Sequence, residues 1–178
     1  MARRISGRRI YLRPIRESDA TRRYVGWLND PEINQYLESR FETWTAQKLR
    51  RYIRRMMRDR RTVFMGILLK DSRRHIGNVK LDINPVHGLG VIGILLGDKT
   101  CWGKGYATEV LNLLSRYAFD KLGLHKLGAG TYASNRGSVR AFLKAGYRVE
   151  GRFREQYRDG AKFVDGLYLG KINPRSEV

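Results

Sequence analysis

The sequence predicts a mixed α/β fold in which helices flank one sheet and a single strand–helix–strand crossover joins parallel strands. Three observations carry this. Segments such as TVFMGILL and HIGNVKLDIN cluster or alternate apolar residues as strands do. The stretch AQKLRRYIRRMMRDRR repeats apolar residues at helical spacing. The apolar segment VIGILLGD runs into a glycine-rich loop and a helix before the next strand, KLGAGTYA, which is the order a parallel pair requires.

The elements follow in order. In RRIYLRP, Ile10 and Leu12 alternate with charged residues, which predicts a short strand. After a turn, Asp19 reads as the N-cap of a helix through RRYVGWLN. Asn29-Asp30-Pro31 breaks that helix, and EINQYLESRF gives another short helical piece. Thr45 caps a longer helix with Leu49, Tyr52, Ile53, Met56 and Met57 on its apolar side and Arg50, Arg51, Arg54, Arg55 and Arg58 on the other. TVFMGILL and HIGNVKLDIN are strands joined by the polar turn KDSRR. The helix after Gly103 carries Ala107, Val110, Leu111, Leu114, Tyr117 and Ala118 on one face and ends at Gly123. KLGAGTYA is then a strand, GSVRAFLKAG a short helix, and YRVEGRFREQY and KFVDGLYLGKI a hairpin turning at Asp159-Gly160. With no repeat, low-complexity tract or linker, residues 1–178 are expected to form a single domain.

Composition narrows the function classes. A hydrophobic content of 42% suits a folded chain, and no apolar run approaches the roughly 20 residues that a membrane span needs. The basic N-terminus MARRISGRRIYLRP lacks the apolar segment of a signal peptide. A lone Cys101 excludes an internal disulfide and a cysteine-rich metal site, so a reducing, cytoplasmic setting is expected. His75, His87 and His125 are scattered without metal-ligand spacing, and no metal is expected. The formal net charge of +19, from 36 Lys and Arg against 17 Asp and Glu, suits nucleic acid, nucleotides, CoA or acidic surfaces as partners.

The segment CWGKGYATE places two glycines and a lysine at a helix start. Unpaired N–H groups and the positive end of the helix dipole make such a start an anion site. Lys104 adds a positive charge, and no acidic residue stands in the first turn before Glu109. It is neither a P-loop, since Tyr106 follows Gly105, nor a dinucleotide fingerprint, since Thr108 stands where the third glycine belongs.

Taken together, VIGILLGD, WGKGYATE and NRGSVRAFLKAGY resemble the GNAT superfamily of acyl-CoA-dependent N-acetyltransferases, nearest to its branch acting on ribosomal-protein N-termini, polyamines and amino sugars. The resemblance is strongest over residues 91–150, and the element order fits across the chain. It implies a twisted, mostly antiparallel sheet of about seven strands with a splayed central pair. It also implies acetyl-CoA as co-substrate, with the backbone of Gly103, Lys104, Gly105, Tyr106, Ala107 and Thr108 around the pyrophosphate and Trp102 in the family's Gln/Arg position. Leu96 and Gly97 are expected to offer backbone groups to pantetheine, with Gly93 and Gly97 marking a bulged strand. Asn135 and Ser138 are expected near the thioester.

Acetyl transfer to an amine requires a neutral nitrogen, a polarised carbonyl and a proton for the thiolate. Many relatives donate that proton from a tyrosine where this chain has Phe142. Ser138 is the substitute that the resemblance suggests, although the same serine can instead cap the helix start. Glu155, with Tyr157 two residues on, is the expected base; Glu109, Asp82, Glu150 or a water relay are alternatives, and Glu109 also complements its helix dipole. Cys101 has no partner base, so transfer is expected to be direct, within a ternary complex. The expected acceptor is an amino sugar, a nucleotide-sugar or a peptide N-terminal amine, with ribosome or nucleotide-sugar contact through the basic surface and a homodimer as further expectations. The rival reading is a nucleic-acid- or ribosome-binding protein on this fold, with the arginine-rich helix over residues 48–61 lying on phosphate.

Overall fold

The structure is a computed structural model that describes residues 4–175. Eight strands form one sheet in the order β1-β2-β3-β4-β5-β6-β8-β7. They are β1 (Ile5–Ser6), β2 (Ile10–Pro14), β3 (Thr62–Leu69), β4 (His75–Asn84), β5 (Leu89–Leu96), β6 (Lys126–Tyr132), β7 (Arg148–Asp159) and β8 (Lys162–Ile172). The strand absent from the sequence reading is β1, whose two residues are too few to show a period. Every neighbouring pair is antiparallel except β5 and β6. The parallel pair is joined by the crossover helix α4 (Tyr106–Leu122), and the other helices are α1 (Arg22–Asn29), α2 (Pro31–Asn34), α3 (Ala46–Arg58) and α5 (Arg136–Lys144).

Strand alternation sends successive side chains into two separate cores. On β3, Met65 joins Leu111, Leu114 and Phe142 beneath α4 and α5, while Phe64 packs with Leu49 and Ile53 of α3 and with Trp27 of α1. In α3, Leu49 and Ile53 are buried and Met56 is half-buried. Met57, expected on the apolar side, is 55% exposed, because the buried stripe is too narrow to reach it.

Caps set the helix limits. Thr21, not Asp19, caps α1, its hydroxyl accepting the Tyr24 N–H at 3.3 Å. Asp19 is instead buried, accepting both terminal nitrogens of Arg13 at 2.7 and 2.6 Å and the Arg16 N–H at 2.7 Å. Asp30 caps α2 ahead of Pro31, and Thr45 caps α3 through the Lys48 N–H as the sequence predicts. The final hairpin turns one residue later than expected, on Gly160 and Ala161, since Asp159 pairs with Lys162.

No bulge interrupts β5 along β4, where the register runs unbroken from Gly77↔Leu96 to Asn84↔Leu89. The two glycines of β5 and its exit have separate reasons. A Cβ on Gly93 meets nothing within 4 Å, whereas one on Gly97 lies 2.0 Å from the Trp27 ring. Gly97→Ala is therefore expected to lower stability by ~1–3 kcal/mol through overpacking, with Gly93→Ala near neutral. Urea denaturation of the two variants checks this.

Candidate active site

The site begins where β5 and β6 part. They pair only at Leu89↔Lys126, Gly90↔Leu127 and Val91↔Gly128, and then diverge. The Gly97 N–H donates to Ile76 O on β4 at 3.0 Å. By strand alternation the N–H and C=O of Ile92, Ile94 and Leu96 then face the gap. The Trp102 indole stands there and donates to Leu96 O at 2.8 Å. Leu96 therefore turns its polar groups to the gap. Gly97 has the opposite parity, and its N–H is engaged by β4.

The gap opens into a cleft of about 500 Å³ that reaches from the glycine-rich loop to α2 and the chain after it. Gly103 (φ +70°) and Gly105 (φ +77°) both lie in the left-handed region, which lets the backbone reverse twice around Lys104. The first bond inside α4 runs from Glu109 N to Gly105 O at 3.1 Å, so the N–H groups of Tyr106, Ala107 and Thr108 point out of the helix end. Trp102, Gly103 and Ala107 line the cleft. Gly105 and Thr108 border a shallower cavity beside Arg8, Arg9 and Arg116.

Arg9 fixes this loop from β2's side of the sheet. Its guanidinium donates to Lys104 O at 2.8 Å and to Glu109 Oε2 at 2.9 Å, and it lies 4.4 Å from the centre of the Tyr106 ring. Glu109 also accepts the Arg9 N–H at 2.8 Å. Burial pushes the Glu109 carboxyl up, but the Arg9 hydrogen bonds outweigh it and hold the group below the usual carboxylate range. Glu109 is thus a tether between α4 and β2 rather than a base facing the cleft.

At the other end, Asn135 caps α5, its Oδ1 accepting the Ser138 N–H at 3.1 Å. This frees the Ser138 hydroxyl from capping, and Ser138 lines the cleft beside Phe142 and Asn135. Phe142 is buried with its ring edge-on to Tyr147, so it brings no acid. Cys101 is 2% exposed within the core beneath α4.

Glu155 lies elsewhere. It has a φ of +50° in an irregular part of β7, where pairing to β8 shifts between Phe153 and Tyr157, and Asp165 accepts its N–H at 2.9 Å. The irregularity breaks the alternation that aligned it with Tyr157. Its side chain is exposed and outside the cleft lining. Tyr157 does approach, stacked on Tyr132 with ring centres 4.1 Å apart.

The acid that does line the cleft is Glu38, in the 3₁₀ turn Glu38–Phe41. Its Oε1 accepts the Tyr132 hydroxyl at 2.9 Å, and Arg40 Nη1 donates to that hydroxyl at 2.8 Å. Burial, opposed by Arg40 and reinforced by Glu38, raises the Tyr132 pKa and keeps the phenol protonated as donor. Arg40 Nη2 also donates to Arg158 O at 2.7 Å, and Trp44 Nε1 to Ser39 O at 3.1 Å, which pins the turn. Glu32 lines the cleft as well but is paired with Lys99. Glu38 was missed because nothing local marks it: its partner Tyr132 is 94 residues away. Among the described residues, no group of three or more His, Cys, Asp or Glu is placed to hold a metal.

Residues 9–148 match the family model described as "Acetyltransferase (GNAT) domain". The chain is 31% identical to the probable N-acetyltransferase YjcK of Bacillus subtilis, over 97% of this chain and 99% of that protein. Its fold matches the spermidine N-acetyltransferase of Vibrio cholerae solved with CoA and spermine, at TM-score 0.83 and 22% identity over 93% of this chain and 96% of that one. It also matches the ribosomal-protein-S5-alanine acetyltransferase of Vibrio fischeri, at TM-score 0.81 and 18% identity over 98% and 99%.

The loop geometry sets a test of the anion site. Gly105→Ala and Gly105→Glu suffer the same left-handed strain, and only the second adds charge and bulk. Acetyl-CoA affinity, by calorimetry on folded protein, is expected to be at least ~10-fold weaker for Glu than for Ala, because a carboxylate placed at the helix start opposes the anion that the dipole favours. Equal affinities would remove the loop from the binding site.

Proposed function

The chain belongs to the GNAT acetyltransferase family and is an acetyl-CoA-dependent N-acetyltransferase; on that premise we propose that it acetylates a singly charged primary amine, on an amino sugar, a nucleotide-sugar or a peptide N-terminus, by direct transfer in a ternary complex. One observation carries the acceptor reading: of the two carboxylates that line the cleft, Glu32 is ion-paired with Lys99, whereas Glu38 makes no ion pair among the described residues and has only its Oε1 engaged, by Tyr132. One carboxylate suits one ammonium. A polyamine asks for several, and a net charge of +19 repels it.

Acetyl-CoA supplies a thioester whose carbonyl carbon bonds to the amine nitrogen as the carbon–sulfur bond breaks and a thiolate leaves. The residues fit that ligand: a loop with two left-handed glycines and outward N–H groups suits a pyrophosphate, and the gap-facing polar groups of Ile94 and the Leu96 N–H suit an extended amide-bearing arm. Glu38, held by Tyr132, orients the ammonium and receives its proton at the cleft mouth, taking the role that the sequence assigns to Glu155. A peptide α-amine, with a pKa of about 7.7–8.0, is still mostly charged at neutral pH and gains from that assistance. Ser138, its hydroxyl unused in capping, donates a hydrogen bond towards the leaving sulfur in place of the absent tyrosine. Cys101, buried in the core, takes no acyl group.

Two measurements check this. Thiol release from acetyl-CoA across a panel of amines is expected to give amino sugars or peptide N-termini a kcat/KM at least ~10-fold above spermidine, and Glu38→Gln is expected to remove most of the activity by raising KM and lowering kcat together. Ser138→Ala is expected to lower kcat by about 10²-fold with acetyl-CoA affinity unchanged, since its hydrogen bond strengthens only as the thiolate forms. Phe142→Tyr should restore part of that loss. A decrease in Ser138→Ala well below ~10-fold rejects the serine assignment.

A further inference from the structure

The outer face of α3 has no place in the acetyl-transfer chemistry. Its 13 residues contain Lys48 and five arginines but no Asp or Glu. At 100° per residue, Arg50, Arg54, Arg58, Arg51 and Arg55 fill a continuous arc of ~140°, opposite the buried Leu49 and Ile53. All five arginines are exposed. Arg50–Arg54, Arg54–Arg58 and Arg51–Arg55 are like-charge pairs four residues apart, a spacing that weakens a helix. Their compensation inside the protein is small. Glu17 takes Arg54 in a two-pronged pair at 2.9 and 2.7 Å. That hydrogen bond holds Glu17 low, and Arg58 and Arg50 converge on the same carboxylate. Among the described residues, Arg50, Arg51 and Arg58 make no ion pair of their own.

We infer that this arginine face of α3 is a docking surface for the phosphate backbone of a nucleic acid. Rows of guanidinium groups match a row of phosphates, each able to accept two parallel N–H bonds. A lipid surface fits less well, because anionic headgroups alone attract the arginines only electrostatically, without the apolar insertion that anchors an interfacial helix, and here Leu49 and Ile53 are sealed in the core against the sheet. An acidic peptide would need carboxylates repeated at matching intervals, which a polynucleotide has by construction. The surface is separate from the cleft, whose lining includes no residue of α3, so it stands or falls independently of the acceptor.

The test uses the full chain, a fluorescein-labelled RNA oligonucleotide and anisotropy over a series of salt concentrations. The unmodified protein is expected to bind, with log affinity falling linearly in log salt. The variant Arg50→Gln/Arg51→Gln/Arg55→Gln/Arg58→Gln keeps Arg54 so that Glu17 stays paired. It is expected to bind at least ~10-fold more weakly and to have a slope shallower by about 3, since each neutralised phosphate contributes about 0.7–0.9. Acetyl-CoA affinity should be unchanged, which also reports folding of the same sample. As a second, smaller change, Arg51→Glu/Arg55→Glu should weaken binding by a similar factor. The proposal is overturned if the unmodified protein does not bind, if the variants bind as tightly, or if acetyl-CoA affinity falls in parallel. It is also overturned if poly-glutamate or phosphatidylserine vesicles compete as well as unlabelled RNA.

Discussion

Everything at the site depends on one interruption of the hydrogen-bond ladder, where β5 and β6 separate after Val91 and Gly128. A broken parallel ladder leaves backbone N–H and C=O groups facing a gap, and unsatisfied groups of this kind cost about 1–3 kcal/mol each if they are kept from water. The protein meets part of that cost itself, since the Trp102 indole takes the carbonyl of Leu96. The rest of the gap stays open as a cleft, so solvent or an extended ligand pairs with the remaining groups. Because the strands are parallel, their crossover helix must start at the same end as the gap. The glycine-rich start of α4, with its outward N–H groups, is therefore brought to the cleft by topology.

A loop with two left-handed glycines gains this shape at the expense of rigidity, and the rigidity is restored from outside it. Arg9 leaves the edge of β2, bonds the loop at Lys104 O and the first turn of α4 at Glu109, and covers Tyr106. The exposed Arg9 and the half-buried Glu109 satisfy each other, and Glu109 also accepts the N–H groups of Arg9 and Ile10. With one partner exposed, the pair acts as a register pin more than as a source of net stability. On the opposite face, Arg13 and Asp19 do the same for the chain entering α1, which carries Trp27 against Gly97 and so fixes the exit of β5.

Much of this was legible in the sequence wherever local physics decides it. β3 and β4 fall on TVFMGILL and HIGNVKLDIN because their patterns are uninterrupted, and α4 ends at Gly123 because a glycine is suited to the left-handed C-cap. The loop was legible for the same reason. The failures are cases in which a distant partner overrides a local signal. Asp19 carries a capping side chain, but Arg13 recruits it and leaves Thr21 to cap. Gly97 looked like a pantetheine contact until strand parity assigned its N–H to Ile76. Glu155 was placed by alternation, and the irregularity at β7 defeats alternation. Glu38 joins the cleft only because Tyr132, at the far end of β6, reaches it.

The charge of +19 acts on both substrates at once. It draws in a polyanionic donor such as acetyl-CoA from a distance, and it repels any acceptor in proportion to the acceptor's positive charge. On the acceptor reading proposed above, one carboxylate without an ion pair among the described residues, Glu38, would offset the repulsion for one ammonium over a few ångströms, but not for a chain of them. On that reading, selectivity would arise in two layers, with the field setting which amines approach and Glu38 setting which nitrogen is held. Screening by salt weakens the first layer over about 8–10 Å at ionic strengths near 0.1 M and leaves the short-range second largely intact. Part of that charge sits on α3, whose residues do not line the cleft. An enzyme serving only a small amine and acetyl-CoA gains nothing from a self-repelling helix there, and that cost is the reason to look for a polyanionic partner.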